Sequence, residues 1–198
     1  MKTNVYFFIA ALCLIFYACN SDKKEEPQTK LYEPIEETIT IDPVERGAYL
    51  VNTNGCHDCH SPKKMTEKGM ELDTDRLLSG HPSDEKLPEY DTKTAQGYIL
   101  FSMGLTSATG PWGTSFAANL TPDATGIGAW TEAQFLNAIK KGLYKGLEDS
   151  RPLLPPMPWE HYANFTDDDL KAIFAYLKSM KPVENIVPSA IIAEAPPQ

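Results

Sequence analysis

Cys56-His57-Asp58-Cys59-His60 is the stretch of this sequence whose residue types and spacing can do chemistry. Two thiols three positions apart sit on one helical turn, where each can add to a vinyl group of a haem. A histidine directly after the second can then turn its ring to the iron. Three other uses of paired cysteines compete with this one. A zinc site needs four ligands, and the sequence holds no second cysteine pair. A thioredoxin-type redox pair needs a strand-helix-strand setting, whereas Asn52, Asn54 and Gly55 lead into this motif from a helix-like segment. A structural disulfide is the third. The motif predicts one covalently held haem c, with Cys56 and Cys59 as the thioether positions and His60 as an iron ligand.

The sixth iron position decides what such a centre does, because a filled site passes electrons and an open one binds small ligands. Met65 and Met70 follow His60 too closely to be expected on the opposite haem face, and Met180 sits at the end of a predicted helix. Met103 and Met157 remain. Met157 lies in Leu154-Pro155-Pro156-Met157-Pro158-Trp159, where prolines stiffen the chain and remove backbone donors. A methionine is also an ordinary filler of cores. Trp112, Trp130 and Trp159 could donate to haem propionates or simply pack. Arg151 could pair with a propionate, or lie on the surface without a role.

Three helices are predicted around the motif. Asp42-Pro43-Val44-Glu45 combines an Asp cap, a first-position proline and an acid, and opens a helix running towards Val51. Thr131-Glu132-Ala133-Gln134 starts a second, with Phe135, Ala138 and Ile139 on one face and a stop near Gly142. Thr166-Asp167-Asp168-Asp169 starts a third, with Leu170, Ile173, Phe174 and Leu177 at helical spacing and Pro182 beyond its end. No strand alternation is evident. The sequence therefore predicts an all-α fold, with residues 62–110 as a long loop.

The 198 residues are 42% hydrophobic and 23% charged, the ordinary globular range. A formal net charge of -9 argues against a phosphate-backbone partner, so no nucleic acid is expected. Residues 1–18 read as a signal peptide, with Lys2 ahead of an apolar run too short to span a bilayer comfortably. Phe16-Tyr17-Ala18-Cys19 resembles a relaxed lipobox, making Cys19 the candidate lipidation site and the protein an exported, periplasmic or cell-envelope lipoprotein held at a membrane. Residues 19–38, rich in Glu and Lys with Pro27 and Pro34, read as an acidic linker that cannot bury enough surface to order itself. Residues 39–188 form the haem domain and 189–198 a tail.

Gly47-Ala48-Tyr49-Leu50 leading into the motif resembles class I c-type cytochromes, as do Phe116 through Asp123, Thr125 through Thr131, Pro156-Met157-Pro158-Trp159 and Asp169 through Leu177. The narrower resemblance is to the haem domains of dehydrogenase-associated cytochrome c subunits, and it covers residues 44–188. It implies a class I cytochrome c fold wrapped around the haem, in which the first helix crosses the last and Gly47 and Ala48 face Phe174 or Tyr176. It also implies that Met157 is the distal iron ligand, ahead of His81 and His161. Many members of that family carry several C-x-x-C-H motifs. This chain has one, so a single haem is expected.

The resemblance implies a monohaem electron-transfer carrier with His60 and Met157 as axial ligands, not itself an enzyme. Its redox partners would be a dehydrogenase, a quinol-oxidising complex or a terminal oxidase. A haem c peroxidase or small-ligand sensor, with an open or labile sixth position, is the alternative.

Overall fold

The computed structural model describes residues 41–193, so the signal peptide, Cys19 and the whole linker lie outside the described residues. The first helix, α1 (Pro43–Thr53), begins where its cap dictates. The Asp42 carboxylate accepts from the amides of Val44 (2.8 Å) and Glu45 (3.2 Å), and Pro43 takes a position whose N–H would have no partner. Gly55, at φ 72°, then turns the chain into the single-turn α2 (Cys56–His60).

The last helix, α6 (Asp167–Ser179), is capped by Thr166, whose hydroxyl accepts from the Asp169 amide (3.1 Å). Three aspartates in its first turn complement the positive end of the helix dipole. Helix α1 packs on α6 through Gly47, for which an added Cβ would lie 2.0 Å from the Ala172 carbonyl oxygen and 2.7 Å from the Tyr176 Cβ. Tyr176 is therefore a partner of Gly47, as the resemblance implied. Arg46 Nε reaches Asp169 Oδ1 at 2.9 Å along the same contact.

Between them, α4 (Glu132–Lys140) is capped by Thr131 and buries Phe135 and Ala138. The Phe135 and Phe174 rings lie 5.2 Å apart. The core gathers Leu50 and Val51 of α1, Leu78, Ile127, Phe135 of α4, and Leu170, Ile173 and Leu177 of α6. Each such side chain contributes roughly 1.5–3 kcal/mol by leaving water.

Short strands interrupt the loop expected over residues 62–110, so the fold is not all-α. β1 (Lys63–Thr66) and β2 (Gly69–Leu72) form a hairpin. After α3 (Thr92–Gly97), strands β3 (Leu100–Phe101), β4 (Ser107–Gly110), β5 (Gly113–Phe116) and β6 (Ile191–Ile192) make an antiparallel sheet in sequential order. The physical reason for the miss is visible in β4. Its residues Ser, Ala, Thr and Gly are all buried, so no apolar-polar alternation marks it, while β3 and β6 have only two residues each. β6 also lies within the segment read as a tail. No helix among the described residues is long and apolar enough to cross a membrane.

Candidate functional site

Helix α2 carries Cys56 and Cys59 as free thiols on one turn. Cys56 packs against the edge of the core, and burial pushes its thiol up to about 11. Burial raises Cys59 as well. Both therefore stay neutral thiols near pH 7.

His60 is fixed from two sides. Its carbonyl accepts from the Gly80 amide (2.8 Å), and its ring Nδ1 lies 2.8 Å from the Ala118 carbonyl oxygen. A carbonyl only accepts, so Nδ1 carries the proton and Nε2 keeps a lone pair available to a metal. Burial lowers the ring pKa and holds it neutral, the form that ligates. The wall behind it is formed by two paired segments, with His81 N donating to Ala117 O (2.9 Å) and Leu120 N to Leu78 O (2.8 Å). Gly80 is needed there. Its φ is 79°, and a Cβ would sit 2.5 Å from the Ala117 carbonyl oxygen.

His57, the residue between Cys56 and Asp58, is half-buried. Its Nδ1 lies 2.8 Å from the Ser61 hydroxyl, which accepts from the Leu78 amide (2.8 Å). Asp58 is exposed, and its carbonyl oxygen accepts from Lys63 Nζ.

Asn119 locks the turn that follows Ala118. Its Oδ1 accepts from the amide (2.9 Å) and hydroxyl (2.7 Å) of Thr121, and its Nδ2 donates to Val183 O (2.9 Å). Asn185 Nδ2 donates to the carbonyls of Ser79 (2.7 Å) and His81 (2.9 Å), so residues 183–185 strap both wall segments from outside.

Met157 is half-buried in the loop before the short helix α5 (Trp159–Tyr162). The Pro155–Pro156 peptide is cis, and the Ser115 hydroxyl of β5 donates to the Pro155 carbonyl (2.6 Å). Tyr162, five residues on, donates its hydroxyl to the Asn54 carbonyl (2.8 Å), two residues before Cys56. The methionine loop and the cysteine turn are thus tied together across 108 residues of sequence.

The other methionines are placed differently. Met65 and Met103 are 70% and 79% exposed, Met70 is exposed opposite Met65, and Met180 packs against the core. His81 is wholly buried, with Nδ1 2.9 Å from the Thr106 hydroxyl and its ring 4.8 Å from that of Phe116. His161 is exposed, with its ring edge-on to Tyr162. Arg151 lies over the Tyr144 ring (3.9 Å) and donates to the Pro152 carbonyl, so its fork is engaged locally. Trp112 covers Gly110, Trp159 covers Gly142, and Trp130 packs on the core. Sequence reasoning missed Tyr162 and Ser115. An aromatic residue in a short helix and a serine in a short strand carry no signal that distinguishes them from packing.

Among the described residues, no three His, Cys, Asp or Glu side chains gather to hold a metal ion by themselves. The donor set of α2, two thiols and one imidazole with a free Nε2, instead suits a metal that arrives in a macrocycle. The family model of cytochrome c matches residues 44–181. The chain belongs to the cytochrome c family.

This cytochrome c is 36% identical over 154 residues to the fructose dehydrogenase cytochrome subunit of Gluconobacter japonicus, covering 77% of the chain and 24% of that protein. It is 33% identical over 134 residues to the gluconate 2-dehydrogenase cytochrome c subunit of Pantoea cypripedii, covering 67% of the chain and 22% of that protein. The cytochrome c subunit of the quinone-dependent alcohol dehydrogenase of Komagataeibacter europaeus matches at 40% over 75 residues, 37% of the chain and 15% of that protein. The matched part is a quarter or less of each of these relatives. The fold is that of class I cytochromes c with added strands, the cofactor is covalently bound haem c, and the protein is an electron-transfer cytochrome.

Proposed function

We propose that this cytochrome c is a single-haem carrier in which Cys56 and Cys59 form the thioethers and His60 Nε2 and Met157 Sδ occupy the axial positions. The observation that carries this reading is the bond between His60 Nδ1 and the Ala118 carbonyl, which leaves Nε2 as the ring's free donor one residue beyond a free thiol. Met157 is favoured because it is half-buried, in a loop tied to the turn before Cys56, while Met65 and Met103 stand in solvent and Met180 belongs to the core.

When bound, the haem iron supplies one-electron exchange between its ferric and ferrous forms. The chain's own part is to hold the ring of His60 neutral and oriented, to keep water from the ligands, and to present a docking face. A thioether opposite an imidazole favours the reduced iron. No group of this chain handles a substrate in this reading, which makes it a carrier and not an enzyme.

The relatives, each named as a cytochrome component of a dehydrogenase, point to a dehydrogenase as electron donor. A net charge of -9 favours a partner face of opposite sign, so the electron-transfer rate should fall as salt is added. Export by the leader of residues 1–18 and a lipid anchor at Cys19 complete the proposal, and the mass of the mature N-terminus tests both.

The deciding experiment compares oxidised and reduced optical spectra of wild type and Met157→Ala. Wild type is expected to show the weak long-wavelength band of methionine on ferric iron, and the variant to lose it. A high-spin wild-type spectrum, with rapid carbon monoxide binding to the reduced form, would replace the carrier by the peroxidase or ligand-sensor reading.

A further inference from the structure

We propose that the hydroxyls of Tyr162 and Ser115 are a pair of clamps on the Met157 loop, and that their grip sets how readily the sixth iron position opens to an outside ligand. The inference deepens the carrier reading and rests on Met157 being an axial ligand.

The loop has little to hold it from within. Met157 N reaches Leu154 O at 3.3 Å, a long bond, its prolines donate nothing, and the short bonds are Trp159 N to Met157 O (2.9 Å) and, at the loop's entry, Leu153 N to Gly142 O (2.7 Å). Helix α5 is one turn long, and Pro158 at its start offers no side-chain cap. Beyond that local bond to Trp159 N, the position of Met157 depends on attachments made to other parts of the chain. Ser115 Oγ holds the Pro155 carbonyl at 2.6 Å, two residues before Met157, from β5. Tyr162 Oη holds the Asn54 carbonyl at 2.8 Å, five residues after it, from the turn that opens into Cys56.

The surroundings make the tyrosine bond a strong one. Its ring stacks on Phe165, with centroids 5.8 Å apart and planes 14° from parallel. Burial raises the phenol's pKa, so the hydroxyl keeps its proton and stays a donor. A phenol fixed by stacking loses little further freedom on bonding. Asn54 belongs to the segment that sets the position of Cys56, so the clamp references the methionine to the haem attachment turn itself.

A loop that detaches transiently binds an outside ligand in proportion to the fraction of time it is open. Removing one hydrogen bond without disturbing the ring raises that fraction by the net worth of the bond, about three- to tenfold. The test is titration of the ferric holoprotein with imidazole, for wild type, Tyr162→Phe, Ser115→Ala and Gly47→Ala. Tyr162→Phe and Ser115→Ala are each expected to bind imidazole about three- to tenfold more tightly while keeping the methionine band in its absence. Gly47→Ala, which strains the distant α1–α6 contact, is expected to lower the melting temperature without changing imidazole affinity.

If both hydroxyl variants bind imidazole as wild type does, or if Gly47→Ala tightens binding as much as they do, the clamps are ordinary structural bonds and the inference is overturned. Should Tyr162→Phe fail to accumulate as holoprotein, Ser115→Ala alone decides. Failure of the underlying reading looks different: wild type itself would lack the methionine band, or Met157→Ala would retain it.

Discussion

Gly47 in α1 and Ala172 in α6 meet backbone to backbone, and a Cβ on the glycine would fall 2.0 Å from the Ala172 carbonyl oxygen. Two effects oppose each other in Gly47→Ala. Alanine favours the helix by about 1 kcal/mol, while overpacking against backbone, which cannot rotate aside, costs typically 1–3 kcal/mol. At 2.0 Å the helices must separate, so the clash wins. Urea unfolding should show Gly47→Ala less stable than wild type by up to about 2 kcal/mol, and Gly47→Val worse still. An unchanged midpoint would mean the two helices have slack.

The same contact is pH-sensitive through Asp169, whose carboxyl is held below the ordinary range first by its bond to Arg46. A depressed folded-state value means the stabilisation is complete above the unfolded carboxylate pKa of about 3.9 and is lost as pH falls through the folded value. Melting temperature should therefore drop less steeply below about pH 4 in Asp169→Asn than in wild type. Parallel curves would remove Asp169 from the acid response.

His81 predicts a second slope, at higher pH. The side chain is fully buried, and burial lowers its pKa from the ordinary histidine value. Its stabilising effect is present above the unfolded value of about 6.5 and is lost as pH falls towards the folded one, because the unfolded chain takes the proton first. In His81→Asn, which can still bond the Thr106 hydroxyl, stability should vary less between about pH 7 and 5, as followed by urea midpoints. His57 and His60, which burial also lowers, contribute to the slope that remains.

Asn119 is 4% exposed and bonds the amide and hydroxyl of Thr121, the hydroxyl of Thr125 and the carbonyls of Val183 and Asn185. Truncation leaves the buried Thr121 amide without its partner, which costs about 1–3 kcal/mol. Asn119→Ala should lose that much by chemical unfolding and weaken protection of the Thr121 amide from hydrogen exchange. Aspartate in its place should not restore stability, because its second oxygen would face the Val183 and Asn185 carbonyls, which only accept.

The sequence made some of this legible for definite reasons. Asp42, Thr131 and Thr166 cap helices by local bonds, so those starts could be read from a few residues each. The Cys56–His60 motif was legible because its chemistry is written in one helical turn. The sheet was not, since β4 is buried on both sides and β6 meets β5 only after the chain has travelled nearly eighty residues. Tyr162 and Asn54 lie 108 positions apart, and nothing local in either residue announces the other. Arg151 shows the opposite case. Its charge invited a role at the haem, yet its partner is the nearby Tyr144 ring.

Helix α1, just ahead of the thiols, depends on a partner far down the chain, as the 123 positions between Arg46 and Asp169 make plain. A chain made from its N-terminus therefore exposes Cys56 and Cys59 long before α6 has been synthesised. During that interval the pentapeptide has neither the final helix nor the 183–185 strap around it. Contacts this distant in sequence also form slowly, because closing so large a loop precedes any reward. With export by the leader, as proposed, the late closure of α6 onto α1 would leave the thiols open to haem attachment until that contact forms.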